Sequence, residues 1–138
     1  ALMGVGHADL VLAVPDYWVD VVSLEDLDAV AADFRKTHGH RLRIATKYHR
    51  LVRSFLADAG VADYALVDSQ GATEGTIKQE TAEAIADITT TGETLRANHL
   101  RVLENAVIHR SQACLWKSSQ ADWTDATRAT LKTLKSKL

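Results

Sequence analysis

The chain has 138 residues, a formal net charge of −2 and 46% hydrophobic residues, which is enough for one domain with a real core. The balanced charge gives no basic field for nucleic acid, and there is no run of 18 apolar residues to span a membrane. Cys114 is the single cysteine, so an internal disulfide is excluded. Without a charged-then-apolar signal pattern at the amino terminus, these features predict a cytoplasmic protein with neither nucleic-acid nor membrane partners.

Strands and helices are predicted to alternate through the first half of the chain. The apolar run at 9–14 indicates a strand buried on both faces. A helix is predicted to begin after Ser23, whose hydroxyl can cap it, and to stop at Gly39. Residues 42–46 then form a second strand, and 48–59 a second helix with an apolar stripe.

The alternation continues through the second half of the chain. Its predicted elements are a strand over 64–67, a helix over about 73–82, a strand through Ile85 and Ile88, a helix after Gly92, a long or broken strand over 102–116, and a last helix starting at Ser119 or Asp122. This order predicts an α/β domain with a largely parallel sheet and helices on both faces.

The stretch from Ala84 to Leu103 carries the clearest functional signal. An apolar strand stops at the hydroxyl-rich turn 89–92, and good helix formers follow. Free backbone N–H groups and threonine hydroxyls converge at such a turn and bind anions. Asp87 lies just upstream, within reach of a group attached to the anion, so a phosphate carrying a sugar fits. The alternative is a corner whose threonines only cap the helix.

Outside this stretch, the site signals are weaker. Lys47 follows a predicted strand and would face the carboxyl end of the sheet, where open α/β sheets bind ligands. Glu74 begins a predicted helix, and its alternative role is to offset the helix dipole. The six histidines show no metal-binding spacing, and no protein metal site is predicted.

Several spaced motifs carry a family resemblance. Residues 87–95, DITTTGETL, resemble the phosphoribosyl-pyrophosphate motif of phosphoribosyltransferases, with Ala86 in the first acidic place. The single acid, Asp87, and the segment TLRANHL at 94–100 together resemble the form of this motif in the ATP phosphoribosyltransferase family. The further matches, in the family's order, are ADLVLAVP at 8–15, RIATKY at 43–48, GATEG at 71–75 and VLENAVIHRSQACL at 102–115.

This resemblance implies a fold and an activity. The fold would be a type II periplasmic-binding-protein-like lobe over residues 1–118, followed by a C-terminal helix over 119–138 that returns to an absent first lobe. The activity would be transfer of 5-phosphoribosyl from phosphoribosyl pyrophosphate to N1 of ATP, with release of pyrophosphate, in the first step of histidine biosynthesis. The isolated piece is expected to be inactive. A non-catalytic sugar-phosphate or nucleotide-binding module, or a helix-mediated interaction domain, remains the alternative.

The resemblance also implies roles for individual residues. Asp87 would be catalytic and would bind the ribose hydroxyls, and Lys47 and Glu74 would lie at the nucleotide and phosphate. The 5-phosphate would be held by Thr90, Thr91, Gly92, Glu93 and Thr94. Mg²⁺ would be held mainly by the pyrophosphate. The expected partners are phosphoribosyl pyrophosphate, ATP, the absent lobe and a second copy of the chain, with a regulatory subunit left open.

Overall fold

The computed structural model describes residues 1–69 and 71–137. Ten elements follow in chain order: β1 (Ala8–Pro15), α1 (Leu24–His38), β2 (Leu42–Thr46), α2 (His49–Asp58), β3 (Tyr64–Asp68), α3 (Gly75–Lys78), β4 (Ala84–Thr89), α4 (Glu93–Ala97), β5 (Leu100–Ser111) and α5 (Asp125–Lys135). They fall into two compact units. The larger unit is Ala8–Arg110, and the smaller combines Ala1–His7 with Ser111–Leu138.

The larger unit is built on one five-stranded sheet in the order β3-β2-β4-β1-β5. Strand β2 pairs in parallel with both β3 and β4, whereas β1 runs antiparallel to β4. The predicted α/β class is confirmed, and the sheet is mixed because of β1. The register places Asp87 opposite Val11, and Thr89 opposite Asp9.

Alternate residues of β1 enter two separate hydrophobic clusters, which explains why this strand is apolar throughout. Leu12 packs with residues of α1 and α2, including Leu27 and Leu56. Val11 packs on the opposite face with Leu95 of α4. Successive strand side chains point to opposite faces, so both faces are covered by helices, as the sequence predicts.

Local signals correctly located the first helix. The Ser23 hydroxyl accepts a hydrogen bond from the Asp26 N–H, and the Asp26 carboxylate accepts from the Ser23 N–H. The Asp26 carboxylate also accepts from the Val22 N–H at 3.0 Å. The hydrogen bonds from the Ser23 and Val22 N–H groups and from the Ser23 hydroxyl hold the pKa of Asp26 below its ordinary value. The helix ends at Gly39, whose φ of 73° suits a residue without Cβ.

Three predicted boundaries were wrong. The helix expected over 73–82 is only Gly75–Lys78, because the chain turns through a φ of 57° at Glu80. The strand expected over 102–116 is Leu100–Ser111. The last helix begins at Asp125, since the Thr124 hydroxyl accepts from the Thr127 N–H and caps it there.

The smaller unit has little buried surface of its own. Its amino terminus donates a hydrogen bond to the Leu115 carbonyl at 2.7 Å, and the Met3 N–H donates to the Ala113 carbonyl at 3.0 Å. No described residue of α5 is buried. Leu134 on this helix is 46% exposed, and Trp116 before it is 87% exposed.

Across the described ranges, none of the helices combines the length and apolar character needed to cross a membrane.

A partly buried ion pair joins Arg43, near the start of β2, to Glu83, the residue before β4. The Arg43 guanidinium donates to both Glu83 carboxylate oxygens, and the Arg43 N–H donates to Oε2 at 2.7 Å. The Glu83 side chain is only 14% exposed. Burial raises the pKa of Glu83, but the hydrogen bonds from Arg43 outweigh it and leave that pKa below its usual value.

We therefore expect Glu83→Gln to lower the free energy of unfolding by about 1–3 kcal/mol at pH 7. The pKa of Glu83 is lower in the folded chain than in the unfolded chain, where it is about 4.3, so its carboxylate stabilises the fold above that pH. This stabilisation is lost as the pH falls through the pKa of the folded chain. The difference in free energy of unfolding between Glu83→Gln and the parent chain should therefore be smaller in acid. Urea unfolding at pH 7 and at about pH 3 measures both effects. Exposed Glu104→Gln is the control, and an equal loss there would contradict the assignment to the ion pair.

Candidate functional site

Three parallel strands bring their carboxyl ends to one edge of the sheet. The pairings of β2 with β3 and β4 place the ends of all three side by side. Lys47 follows β2, the turn containing Gly71 and Glu74 follows β3, and the threonine turn 89–92 follows β4. This edge is where open α/β sheets bind ligands.

A cavity of about 220 Å³ lies at this edge, and we call it the threonine cavity. Its walls come from the end of β4, the turn after it, the start of α4 and the residue before α3. The lining residues are Glu74, Asp87, Ile88, Thr89, Thr90, Thr91, Glu93, Thr94 and Leu95. The tertiary structure thus brings Glu74 to the same cavity as Asp87 and the predicted phosphate-binding threonines.

The turn is organised around Gly92. Its φ of 77° is in the left-handed region that favours glycine, and its N–H donates to the Thr89 hydroxyl at 2.9 Å. The Thr91 hydroxyl accepts from the Glu93 N–H at 3.4 Å. Within the described part of the chain, the N–H groups of Thr91 and Thr94 have no hydrogen-bond partner. Both donors are available to an anion.

Asp87 is half-buried, and the next residue, Ile88, is exposed. Its Oδ1 accepts a hydrogen bond from the N–H of Ile88 at 2.9 Å, which orients the carboxylate at the end of β4. Since the group also lines the threonine cavity, it can accept hydrogen bonds from a bound polyol.

Lys47 is placed differently. Its side chain is exposed, and its Nζ donates to the Gly71 carbonyl at 2.7 Å. Among the described residues that line the threonine cavity, Lys47 is absent. Lys47 instead holds the turn from which Glu74 reaches that cavity.

Sequence reasoning missed two features of this edge. Thr89 was predicted as part of the turn but was given no role of its own, and it lines the cavity and fixes the turn by accepting from the Gly92 N–H. His49 lies 2.6 Å from the Asp68 carboxylate, from Nε2 to Oδ1. That pairing joins the start of α2 to the end of β3, so only the sheet topology brings it together.

The charges in the threonine cavity are unbalanced. Glu74, Asp87 and Glu93 contribute three carboxylates, and no cationic side chain is among its lining residues in the described part of the chain. Residues 1–69 and 71–137 also contain no cluster of three or more His, Cys, Asp or Glu side chains arranged to hold a metal ion. The Arg96 guanidinium lies beside the turn, since a Cβ on Gly92 would be 3.0 Å from its Nη1. A polyphosphate carries several negative charges, so a bound one would draw on cations beyond this single group.

The fold and the cavity together define a class: an α/β domain with a turn rich in hydroxyl and N–H groups at the carboxyl edge of its sheet and an acid beside it. The ATP phosphoribosyltransferase family model matches residues 1–138. The chain belongs to the ATP phosphoribosyltransferase family, as the sequence resemblance indicated.

Individual relatives agree with this assignment. The chain is 68% identical over 126 residues to the ATP phosphoribosyltransferase of Cereibacter sphaeroides, covering 91% of this chain and 53% of that protein. It is 53% identical to the enzyme of Mesorhizobium japonicum, covering all of this chain and 60% of that protein. The chain therefore spans about half the length of the curated relatives it matches.

A solved structure shows the same fold. It is a chain of the ATP phosphoribosyl transferase (HisG:HisZ) complex from Thermotoga maritima, with a TM-score of 0.55 and 23% sequence identity, covering 75% of this chain and 42% of that one. At this identity the likeness concerns the fold alone, and it agrees with the predicted type II lobe.

Proposed function

We propose that this chain is the phosphoribosyl-pyrophosphate-binding part of an ATP phosphoribosyltransferase. The complete enzyme would transfer the 5-phosphoribosyl group to N1 of ATP and release pyrophosphate, as the first step of histidine biosynthesis. The observation that carries this proposal is the threonine cavity, where the Asp87 carboxylate lies beside the N–H and hydroxyl donors of the turn. That combination suits a phosphate joined to a polyhydroxylated sugar.

The two halves of the cavity would hold different parts of the substrate. The 5-phosphate would accept hydrogen bonds from the N–H groups of Thr91 and Thr94 and from the hydroxyls of Thr90 and Thr94, with Gly92 and Glu93 shaping the turn. Charge-assisted bonds of this kind are stronger than neutral ones. The ribose hydroxyls would donate to Asp87.

In the transfer, a bond forms between N1 of ATP and C1 of the sugar, and the bond from C1 to the pyrophosphate oxygen breaks. Pyrophosphate leaves with the electron pair, and positive charge develops on the sugar. The Asp87 carboxylate would lie where it stabilises that charge, so catalysis would depend on positioning and electrostatics without a covalent nucleophile.

Mg²⁺ fits this proposal as an ion carried by the substrate. The carboxylates that line the threonine cavity do not form a metal cage, and Mg²⁺ usually keeps several waters and binds through substrate phosphates. When bound, it would neutralise charge on the leaving pyrophosphate. Glu74 would face the phosphate or the nucleotide, and Lys47 would reach them by exchanging its bond to the Gly71 carbonyl.

The rest of the protein would complete the site. With three carboxylates in the cavity lining and the Arg96 guanidinium beside the turn, a first lobe, outside these 138 residues, would supply further cations to the substrates. Residues 119–138 would return to that lobe, since α5 leaves its apolar side chains largely exposed. We also propose a homo-oligomer, with a regulatory subunit as a further partner, and a cytoplasmic location, which suits the exposed free thiol of Cys114.

Binding can be tested directly on the 138-residue chain. Titration with phosphoribosyl pyrophosphate and Mg²⁺ should shift the amide NMR signals of residues 87–95, at millimolar concentration because only one wall of the site is present. Thr94→Val should weaken binding by about 1–2 kcal/mol, the scale of one hydrogen bond to a charged group. Thr37→Val, which removes another exposed helical hydroxyl, should leave binding unchanged.

Two results would contradict the proposal. One is that residues 87–95 show no shift at millimolar ligand while the chain remains folded. The other is that Thr37→Val weakens binding as much as Thr94→Val, since the effect would then report stability and not contact with the phosphate.

A further inference from the structure

A second cavity, of about 510 Å³, lies at the opposite end of β1 from the threonine cavity. The β1–β4 register places Thr89 opposite Asp9, whereas Pro15 lines the second cavity. The two linings approach each other along α4, where Leu95 lines the threonine cavity and Ala97 lines the second cavity. Among the described residues none lines both cavities, so the second cavity is a separate feature, and we call it the Tyr17 cavity.

The walls of the Tyr17 cavity combine apolar residues with one lysine and one histidine. Pro15, Ile77 and Leu100 give an apolar floor. The side chains of Lys78 and His99 lie at the same cavity, and no carboxylate is among its lining residues in the described part of the chain. Its volume is in the range of small-molecule sites, which typically pair apolar walls with a few polar groups.

Tyr17 lines this cavity and also a neighbouring cavity of about 250 Å³, and little of the residue is buried. It is 72% exposed, an unusual state for a large ring whose burial would be favourable. A planar ligand in the cavity would cover the ring.

Lys78 is available to a ligand. It ends α3 and is exposed, and within residues 1–69 and 71–137 it forms no ion pair. An ammonium beside an apolar wall favours an anion with an apolar body, because the body covers the wall while the anionic group pairs with the charge.

The cavity is also pre-formed. His99 has a φ of 56°, an uncommon conformation for a residue with a side chain. Its N–H donates to the Arg96 carbonyl at 3.0 Å, and its carbonyl accepts from the Asp16 N–H at 2.8 Å. These bonds link the segment after β1 to the segment after α4. A ligand would therefore not have to order this wall.

We propose that the Tyr17 cavity is a second ligand site, separate from the threonine cavity, which takes a small organic anion with an aromatic body. The ring of the ligand stacks on Tyr17 over the apolar floor, and its carboxylate or phosphate pairs with Lys78, with His99 as the second polar contact. This inference does not depend on the proposed phosphoribosyl transfer.

The test uses benzoate as the probe on the 138-residue chain at pH 7, with sodium chloride at matched ionic strength as the blank. Benzoate should shift the amide signals of Tyr17, Lys78 and Leu100 saturably in the millimolar range, and should leave residues 89–94 unchanged. Benzylamine, which has a similar body and the opposite charge, should not shift them. Inorganic phosphate should move the signals of 89–94 instead.

Lys78→Gln should weaken benzoate binding by about threefold to tenfold, the scale of one partly exposed charged contact. Lys132→Gln on α5 removes an equal charge far along the chain and should not change binding. Absence of saturable shifts with benzoate would overturn the proposal. Equal shifts with benzylamine, or equal losses in the two lysine variants, would overturn the assignment to an anion held by Lys78.

Discussion

Asp87→Asn in the complete enzyme should lower turnover by about 10²-fold to 10³-fold, the usual cost of removing one electrostatic contact to a transition state. The substitution keeps the shape of the side chain and an Oδ1 that can accept from the Ile88 N–H, so folding should be retained. It removes the negative charge where, in the proposed mechanism, the sugar becomes cationic.

Steady-state kinetics with phosphoribosyl pyrophosphate and ATP would measure this loss, and thermal unfolding would confirm the fold. Asp58→Asn, an exposed acid in α2, is the matched control and should keep parental turnover. The proposed role of Asp87 would be wrong if its variant were folded and turned over at the parental rate. A fall in kcat with little change in KM would favour a role in the transition state.

Gly92→Ala should weaken phosphate binding by roughly tenfold. At a φ of 77° a side chain costs about 1–2 kcal/mol, and the new Cβ would lie 3.0 Å from Arg96 Nη1. Relief of this strain would turn the peptide and misalign the N–H groups of Thr91 and Thr94. A loss of 1.4 kcal/mol corresponds to tenfold in affinity.

Gly39→Ala separates stability from binding. Gly39 has nearly the same backbone conformation, with a φ of 73°, and a Cβ there would have no neighbour within 4 Å. Both variants should lose about 1–2 kcal/mol in the free energy of unfolding, but only Gly92→Ala should lose affinity in a phosphate titration. Equal affinities in the two variants would mean that the turn at Gly92 does not shape the site.

Much of the local structure could be predicted because its causes are local. The Ser23 cap, the stop at Gly39 and the apolar strand 42–46 all depend on neighbouring residues, and all are confirmed. The short α3 could not be predicted from helix formers alone. The turn at Glu80 and the Thr76–Thr81 hydrogen bonds end it early.

The sequence by itself determined the threonine turn and its acid, since Asp87 and the residues to Thr94 are contiguous and their motif is specific. Only the tertiary structure decided what lies around them. Glu74 reaches the threonine cavity, while Lys47 holds the Gly71 carbonyl. These positions depend on which strands pair and in which direction, and pairing is set by burial of apolar faces between residues far apart in sequence. The antiparallel β1, and the Tyr17 cavity at its far end, follow from that same pairing.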